Sequence, residues 1–180
     1  FDEEANALNR PATIDLRVNT LKTDCTKVLE ILKNDGLVAT PTPHSPIGLR
    51  LKERRNFRST TIYKGGFVEL QDEGSQLIAL LTDAKADHKT IDFCAGSGGK
   101  TLALAASMKD GGPLIACDTH NGRLKRLTSR LKRAGVSNVS QHHLTGPGDL
   151  WLEKHRASAE RVLIDVPCSG SGAWRRFPGS

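Results

Sequence analysis

From Thr90 onward, short apolar runs alternate with segments of helical period, and no other feature of the chain restricts its fold as tightly. Thr90–Cys94 (TIDFC) reads as a short apolar strand, followed by a glycine-rich turn and an Ala/Leu helix over Lys100–Met108. Leu114–Cys117 (LIAC) repeats the pattern and leads into a basic helix from Asn121 to Ala134, which Gly135 ends. Asn138–His142 and Arg161–Asp165 (RVLID) supply a third and a fourth strand. Strands that alternate with helices argue a parallel sheet with helices on both faces. Such a sheet takes its ligand at the carboxyl ends of the strands, near the switch in strand order. A helix starting near Gly74 or Ser75, with Leu77, Ile78, Leu80 and Leu81 inward, is expected ahead of the first strand.

The first third of the chain has another texture. Residues 12–20 (ATIDLRVNT) alternate apolar and polar side chains, the pattern of a half-buried strand. Asp24 can cap a helix running to Asn34, with Val28, Leu29, Ile31 and Leu32 as its apolar set and Gly36 behind it. A connection rich in proline (Pro41, Pro43, Pro46) leads to a strand at Gly48–Leu51. This predicts a small α+β unit over residues 1–65, poor in apolar content, whose role is to bind something. The α/β unit then occupies residues 66–180.

Twenty-six Lys and Arg against 20 Asp and Glu leave a net charge of +6, so the distribution matters more than the sum. Six basic residues and one acid lie between Arg50 and Lys64, and six basic residues with no acid between Arg123 and Arg133. Two such stretches suit a polyanion, although solvated faces of ordinary elements would read the same way. On the second stretch Leu124, Leu127 and Leu131 share one helical face, while Arg123, Arg126, Arg130 and Arg133 recur on another, aimed at solvent. Arg50, Arg54 and Arg55 in the first stretch and Arg175 and Arg176 near the end complete the candidate polyanion contacts. Aromatic residues make up 4% of the chain, so binding should rest on phosphates and weaken with salt.

No run approaches eighteen apolar residues, which excludes a membrane-spanning helix. Cys25, Cys94, Cys117 and Cys168 form no Cys-x-x-Cys pair, and His142-His143 has no third ligand at a suitable spacing, so no metal is expected. The start carries no secretory signal, and a reducing cytoplasm with free thiols is the expectation.

The turn Cys94-Ala95-Gly96-Ser97-Gly98-Gly99-Lys100-Thr101 follows a strand and opens a helix, where backbone N–H groups are free. A P-loop would need Gly at position 94, where Cys stands. A dinucleotide fingerprint counted from Gly96 would need Gly at position 101, where Thr stands. What remains is a nucleoside-binding turn, with Asp118 at the end of the next strand placed to accept from a ribose diol. The pair fits S-adenosylmethionine, its amino-acid end over residues 94–100. A glycine turn that merely packs helix on sheet is the plain alternative. After the fourth strand comes Asp165-Val166-Pro167-Cys168-Ser169-Gly170-Ser171-Gly172. A thiol beside a carboxylate in a glycine-rich loop reads better as chemistry than as packing.

DFCAGSGGKT and DVPCSGSGAWRR, with LRVNTLK upstream and Leu70–Leu77 (LQDEGSQL) between, closely resemble four ordered signatures of one family. It is the RNA cytosine-5 methyltransferases of the Sun type, whose bacterial members include the 16S ribosomal RNA cytosine-5 methyltransferase B. The resemblance covers nearly the whole chain. It implies a Rossmann-like class I methyltransferase sheet with a small N-terminal RNA-binding unit, S-adenosylmethionine as cofactor, ribosomal RNA as partner, and a monomer.

In that family a thiolate adds to C6 of cytosine, which makes C5 electron-rich enough to take the methyl group. The resemblance makes Cys168 the cysteine that assists product release. Asp165 would hold the base edge of the cytosine and border the cofactor, with Lys100 beside the same pocket. Asp149 is a lesser candidate for the adenine, because the stretch around it departs from the family pattern. The nucleophile of the family sits in a later motif that does not occur before Ser180, so the chain is expected to be a piece of a longer one, its sheet incomplete on the C-terminal side. A DNA cytosine methyltransferase would use the thiol of Cys168 itself as nucleophile, but the N-terminal signatures favour RNA. A non-catalytic RNA-binding or assembly factor on the same fold is the alternative from another class.

Overall fold

The computed structural model describes residues 3, 6, 12–53 and 56–169. Its N-terminal unit comprises β1 (Ile14–Val18), α1 (Cys25–Asn34), β2 (Ala39–Pro41), β3 (Gly48–Leu51), a 3-10 turn (Phe57–Ser59), α2 (Thr61–Lys64) and β4 (Val68–Leu70). The sheet runs β2-β3-β1-β4 and is antiparallel throughout. Asp24 caps α1 as expected, its carboxylate accepting from the Lys27 N–H at 2.9 Å.

Two expectations fail here. The unit is not poor in apolar content, because Phe57, Ile62 and Val68 join Leu16, Val18, Val28, Leu32 and Leu49 in a closed core. In addition β4 pairs with β1, so a division at residue 65 cuts this sheet before its last strand.

The second unit comprises α3 (Glu73–Leu81), β5 (Thr90–Asp92), α4 (Gly99–Ser107), β6 (Leu114–Asp118), α5 (Asn121–Ala134), β7 (Val139–His143), α6 (Leu150–Lys154) and β8 (Arg161–Leu163). Its sheet is parallel in the order β7-β6-β5-β8. The chain steps outward from β5 to β7 and then crosses back to β8, so order switches beside β5. This is the Rossmann-like sheet that the alternation predicts. Leu124, Leu127 and Leu131 of α5 are buried, as the helical spacing requires. By contrast α3 buries Gln76 and Ala79 and leaves Ile78 and Leu81 exposed. Its inward face meets the N-terminal unit, where the Gln76 side chain accepts from the Ser45 hydroxyl at 2.7 Å and donates to the Gln71 carbonyl at 2.8 Å. Val162 and Ile164 are exposed beside β8, an edge strand of the described sheet.

The two units meet at the C-terminus of α5. The last carbonyls of a helix lack partners within it, and here the N-terminal unit supplies them. The Asn19 side chain donates to the carbonyls of Ala134 (2.9 Å) and Gly66 (2.8 Å). The Lys22 ammonium donates to the carbonyls of Arg133 (2.7 Å) and Gly65 (2.9 Å). Gly66 has φ +71°, and a Cβ there would stand 2.0 Å from the Arg133 carbonyl oxygen. Among the described residues no helix is long and apolar enough to cross a membrane.

Candidate cofactor and active site

A cleft of about 960 Å³ opens at the carboxyl ends of β5, β6 and β8, and Thr13 and Asp15 of the N-terminal unit form part of its wall. Cys94, Ala95, Gly96, Ser97, Gly99, Lys100, Asp118, Asp165 and Cys168 all line it. The structure thus brings most of the expected cofactor and catalytic residues to one cavity. Gly98 stands apart: its φ is +84°, and a Cβ would fall 2.1 Å from Leu127 Cδ1, so it lets the turn press against α5.

Asp118 holds the turn as well as facing the cleft. One carboxylate oxygen accepts from the Gly96 N–H at 2.8 Å and the other from the His120 N–H at 2.7 Å. Gly96 has φ +57°, with nothing within 4 Å of where a Cβ would be, so the surface beside it is open to a ligand. Lys100, at the start of α4, meets the Asp165 carboxylate at 2.6 Å and the Ser75 hydroxyl at 3.5 Å.

Asp92, at the end of β5, was not among the expected site residues. It lines the cleft yet is fully buried, and one oxygen accepts from the Thr101 hydroxyl at 2.7 Å. The other oxygen has no hydrogen-bond partner. Burial pushes its carboxyl up to about 6; the Thr101 hydroxyl and Lys100 ammonium oppose the rise, and the Asp165 and Asp118 carboxylates add to it. A carboxyl whose folded pKa lies above its unfolded value binds a proton more tightly when folded, so stability falls as pH rises from about 4 to about 6. Asp92→Asn keeps an acceptor for Thr101 and removes the ionisation. It is expected to stabilise the protein by about 2–3 kcal/mol at pH 8, two pKa units at about 1.4 kcal/mol each, and by only about 1 kcal/mol at pH 4.5. Urea unfolding at the two pH values checks this; an equal gain at both would show that ionisation is not the cause.

The other cysteines do not suit nucleophilic work. Burial pushes the Cys117 thiol up to about 12. Burial and then the carboxylates of Asp118, Asp92 and Asp165 raise Cys94, and burial followed by Asp24 raises Cys25. Cys168 is exposed on the cleft wall.

Asp149 is corrected. It does not line the cleft but caps α6, accepting from the Trp151 N–H (2.9 Å), the Thr145 N–H (2.9 Å) and hydroxyl (3.2 Å), and lying 3.3 Å from His142 Nε2. The Thr145 and Trp151 N–H groups lead in holding its carboxyl at about 2. Leu144 occupies the cleft wall in that region instead.

Three arginines expected to face RNA turn inward. Arg50 makes a two-pronged pair with Asp15, at 2.7 and 2.9 Å, and reaches Glu73 at 3.3 Å. Burial raises the Asp15 carboxyl, but the Arg50 guanidinium and the Glu73 N–H outweigh it and hold it below the usual range. Arg130 and Arg133 both donate to Glu69. Arg123 and Arg126 stay exposed on α5, Arg123 beside the cleft. Arg54, Arg55, Arg175 and Arg176 lie outside the described residues. Gln71 and Ser75, also missed as site residues, line the cleft from within the segment LQDEGSQL. The signal for Asp92 was a lone carboxylate inside an apolar strand. Among the described residues, no three His, Cys, Asp or Glu side chains gather as a metal would need.

Comparison with known proteins matches residues 79–179 to the 16S rRNA methyltransferase RsmB/F family and residues 2–58 to the RsmF/B-like ferredoxin-like domain. The ribosomal RNA small subunit methyltransferase F of Escherichia coli is 32% identical over 99% of this chain and 38% of its own length. A probable ribosomal RNA small subunit methyltransferase B of Synechocystis is 32% identical over 94% of the chain and 38% of its own. The chain thus spans little more than a third of these curated relatives. The crystal structure of a methyltransferase homolog protein from Pyrococcus horikoshii superposes with a TM-score of 0.81 at 30% identity, covering 93% of this chain and 54% of that one. The matched catalytic-domain family covers more than half of the residues, including both glycine-rich signatures, and the chain belongs to the RsmB/F family of 16S rRNA methyltransferases.

Proposed function

We propose that the protein carrying this chain methylates C5 of cytosine in RNA, ribosomal RNA by family, using S-adenosylmethionine. The observation that carries the reading is a single cleft that joins the glycine turn and Asp118 to the Lys100–Asp165 pair and Cys168. The cleft suits this cofactor on its own chemistry. A buried, unpartnered oxygen of Asp92 offers an acceptor to an ammonium group, the Asp118 carboxylate on the cleft wall offers one to ligand hydroxyls, and open space beside Gly96 admits a ligand to the backbone. When bound, the cofactor supplies an electrophilic methyl group on a sulfonium centre.

The chain's own groups then bind and orient. Residues Cys94–Lys100 hold the amino-acid end, with the N–H groups that open α4 toward its carboxylate. Lys100 fixes one oxygen of Asp165, which offers the other to the amino group of the target cytosine. Cys168, at the rim, assists release of the methylated base. Arg123 and Arg126 meet RNA phosphates near the mouth of the cleft, joined by any of Arg54, Arg55, Arg175 and Arg176 that reach the same strand. The place we propose for the enzyme is the cytoplasm, and none of these steps calls for a metal.

The test has two stages. Calorimetric titration of S-adenosylmethionine should show binding, and the whole protein should transfer a labelled methyl group to RNA. In the whole protein, Cys168→Ala should still attack cytosine and then stall, so that a covalent protein–RNA band accumulates on denaturing gels. Absence of labelled transfer would leave a binding factor in place of an enzyme. Loss of every adduct in Cys168→Ala would make Cys168 the nucleophile and overturn its release role.

A further inference from the structure

We infer that Arg130 is a positioning residue for the glycine-rich turn, held in place by Glu69 of the N-terminal unit; the cofactor half of this inference rests on the reading above. Arg130 lies on α5 and its guanidinium serves two partners at once. Nη1 donates to the Ser97 carbonyl at 2.7 Å, and Nη2 donates to Glu69 Oε2 at 2.9 Å. Ser97 lines the cleft; Glu69, on β4, is buried. A single side chain therefore ties the antiparallel sheet to the loop that would cradle the cofactor.

The local backbone explains why such a tie is needed. Ser97 sits between Gly96 (φ +57°) and Gly98 (φ +84°), two positions where glycine also tolerates the opposite sign. Sterics therefore do little to fix the peptide between Ser97 and Gly98; its N–H end is tied by the Gly98 N–H donating to the Ala95 carbonyl at 2.8 Å, and Arg130 ties its oxygen end. Pointing at Arg130, the Ser97 carbonyl stays clear of the N–H groups that open α4. Swung over, it would bring a negative dipole toward the end where an anionic group of a ligand is stabilised.

Glu69 is built to hold the guanidinium rather than to meet RNA. Its other oxygen takes a bond from Arg133, and Arg17 stands opposite it in the register of β1 and β4. Arg17 is fully buried: burial lowers it to about 10, and the Glu69 charge opposes that fall. One buried carboxylate thus faces three guanidinium groups. Arg133 offers an internal control, because it shares Glu69 with Arg130 and no bond joins it to the turn.

The experiment measures two quantities on Arg130→Gln, Arg130→Lys and Arg133→Gln in the whole protein. One is S-adenosylmethionine affinity by calorimetry, with thermal midpoints alongside. The other is amide hydrogen exchange over residues 94–101 without any ligand. Arg130→Gln should weaken the cofactor at least tenfold and speed exchange in the turn. Arg130→Lys, which can serve only one partner well, should fall between, and it also answers should Arg130→Gln fail to fold. Arg133→Gln should lower the midpoint yet keep affinity within twofold and exchange unchanged. Equal losses in the Arg130 and Arg133 variants would reduce the contact to general docking and overturn the inference. So would an Arg130→Gln protein with unaltered affinity and exchange. If the wild type bound no cofactor, the functional reading would fail, and the exchange measurement would still decide whether Arg130 holds the turn.

Discussion

Gly66→Ala is expected to destabilise the protein by about 3 kcal/mol or more, the sum of left-handed backbone strain and an overpacked contact. The added methyl would meet the Arg133 carbonyl at 2.0 Å, and that carbonyl is already tied down by Lys22. Neither atom belongs to a flexible side chain, so relief would require the two units to part. For a chain of this size about 3 kcal/mol lowers the thermal midpoint by roughly 6–12 °C. Gly36→Ala is the control, since its φ of +70° carries the same strain with nothing within 4 Å. It should cost only about 1 kcal/mol. Scanning calorimetry on both variants checks the difference, and equal losses would mean that the joint yields easily.

Asp118→Ala is expected to weaken S-adenosylmethionine binding by about 3 kcal/mol, near 150-fold, with only a small fall in thermal midpoint. A lost hydrogen bond from a ribose hydroxyl to a charged acceptor accounts for about 1.5–3 kcal/mol. The structure adds a second loss, because the same carboxylate anchors the Gly96 and His120 N–H groups. Without it the turn must be ordered when the ligand arrives. Asp118→Asn keeps one good acceptor and should lie between. Calorimetry on the three proteins reads the result, and an alanine variant that bound like the wild type would remove Asp118 from the site.

The layout of the parallel sheet was legible because its signals are local: apolar runs, glycine stops and helical spacing repeat from Thr90 to Leu163. The residues that line the cleft were mostly legible too, since a glycine-rich turn and the end of the next strand are sequence-marked positions. What the sequence concealed is how polar residues are shared between units. In β1 the alternation of apolar and polar side chains suggested a face open to water. Both faces are covered, because Asp15, Arg17 and Asn19 are buried against Arg50, Gln71 and the end of α5. Helical spacing likewise put Arg130 and Arg133 on one side with Arg123 and Arg126. Only the position of Glu69, distant in sequence, separates a structural pair from an exposed one. Asp149 was misjudged for the opposite reason. Its purpose is local, an N-cap written directly before Leu150-Trp151-Leu152, and it was read as a distant ligand contact.

The joint at Gly66 also bears on how proteins of this kind can be recombined. The two matched families cover residues 2–58 and 79–179, and the residues between belong to neither. Yet that interval carries Gly66, Glu69 and Gln71, which respectively pack against α5, hold its arginines and wall the cleft. A hybrid that grafts the first portion of one relative onto the second portion of another would therefore inherit a mismatched seam. Its two halves would each be intact, while the carbonyls ending α5 faced the wrong partners. The unit of exchange is an N-terminal piece running through α3 together with the last turn of α5, a set of residues that no linear cut can carry.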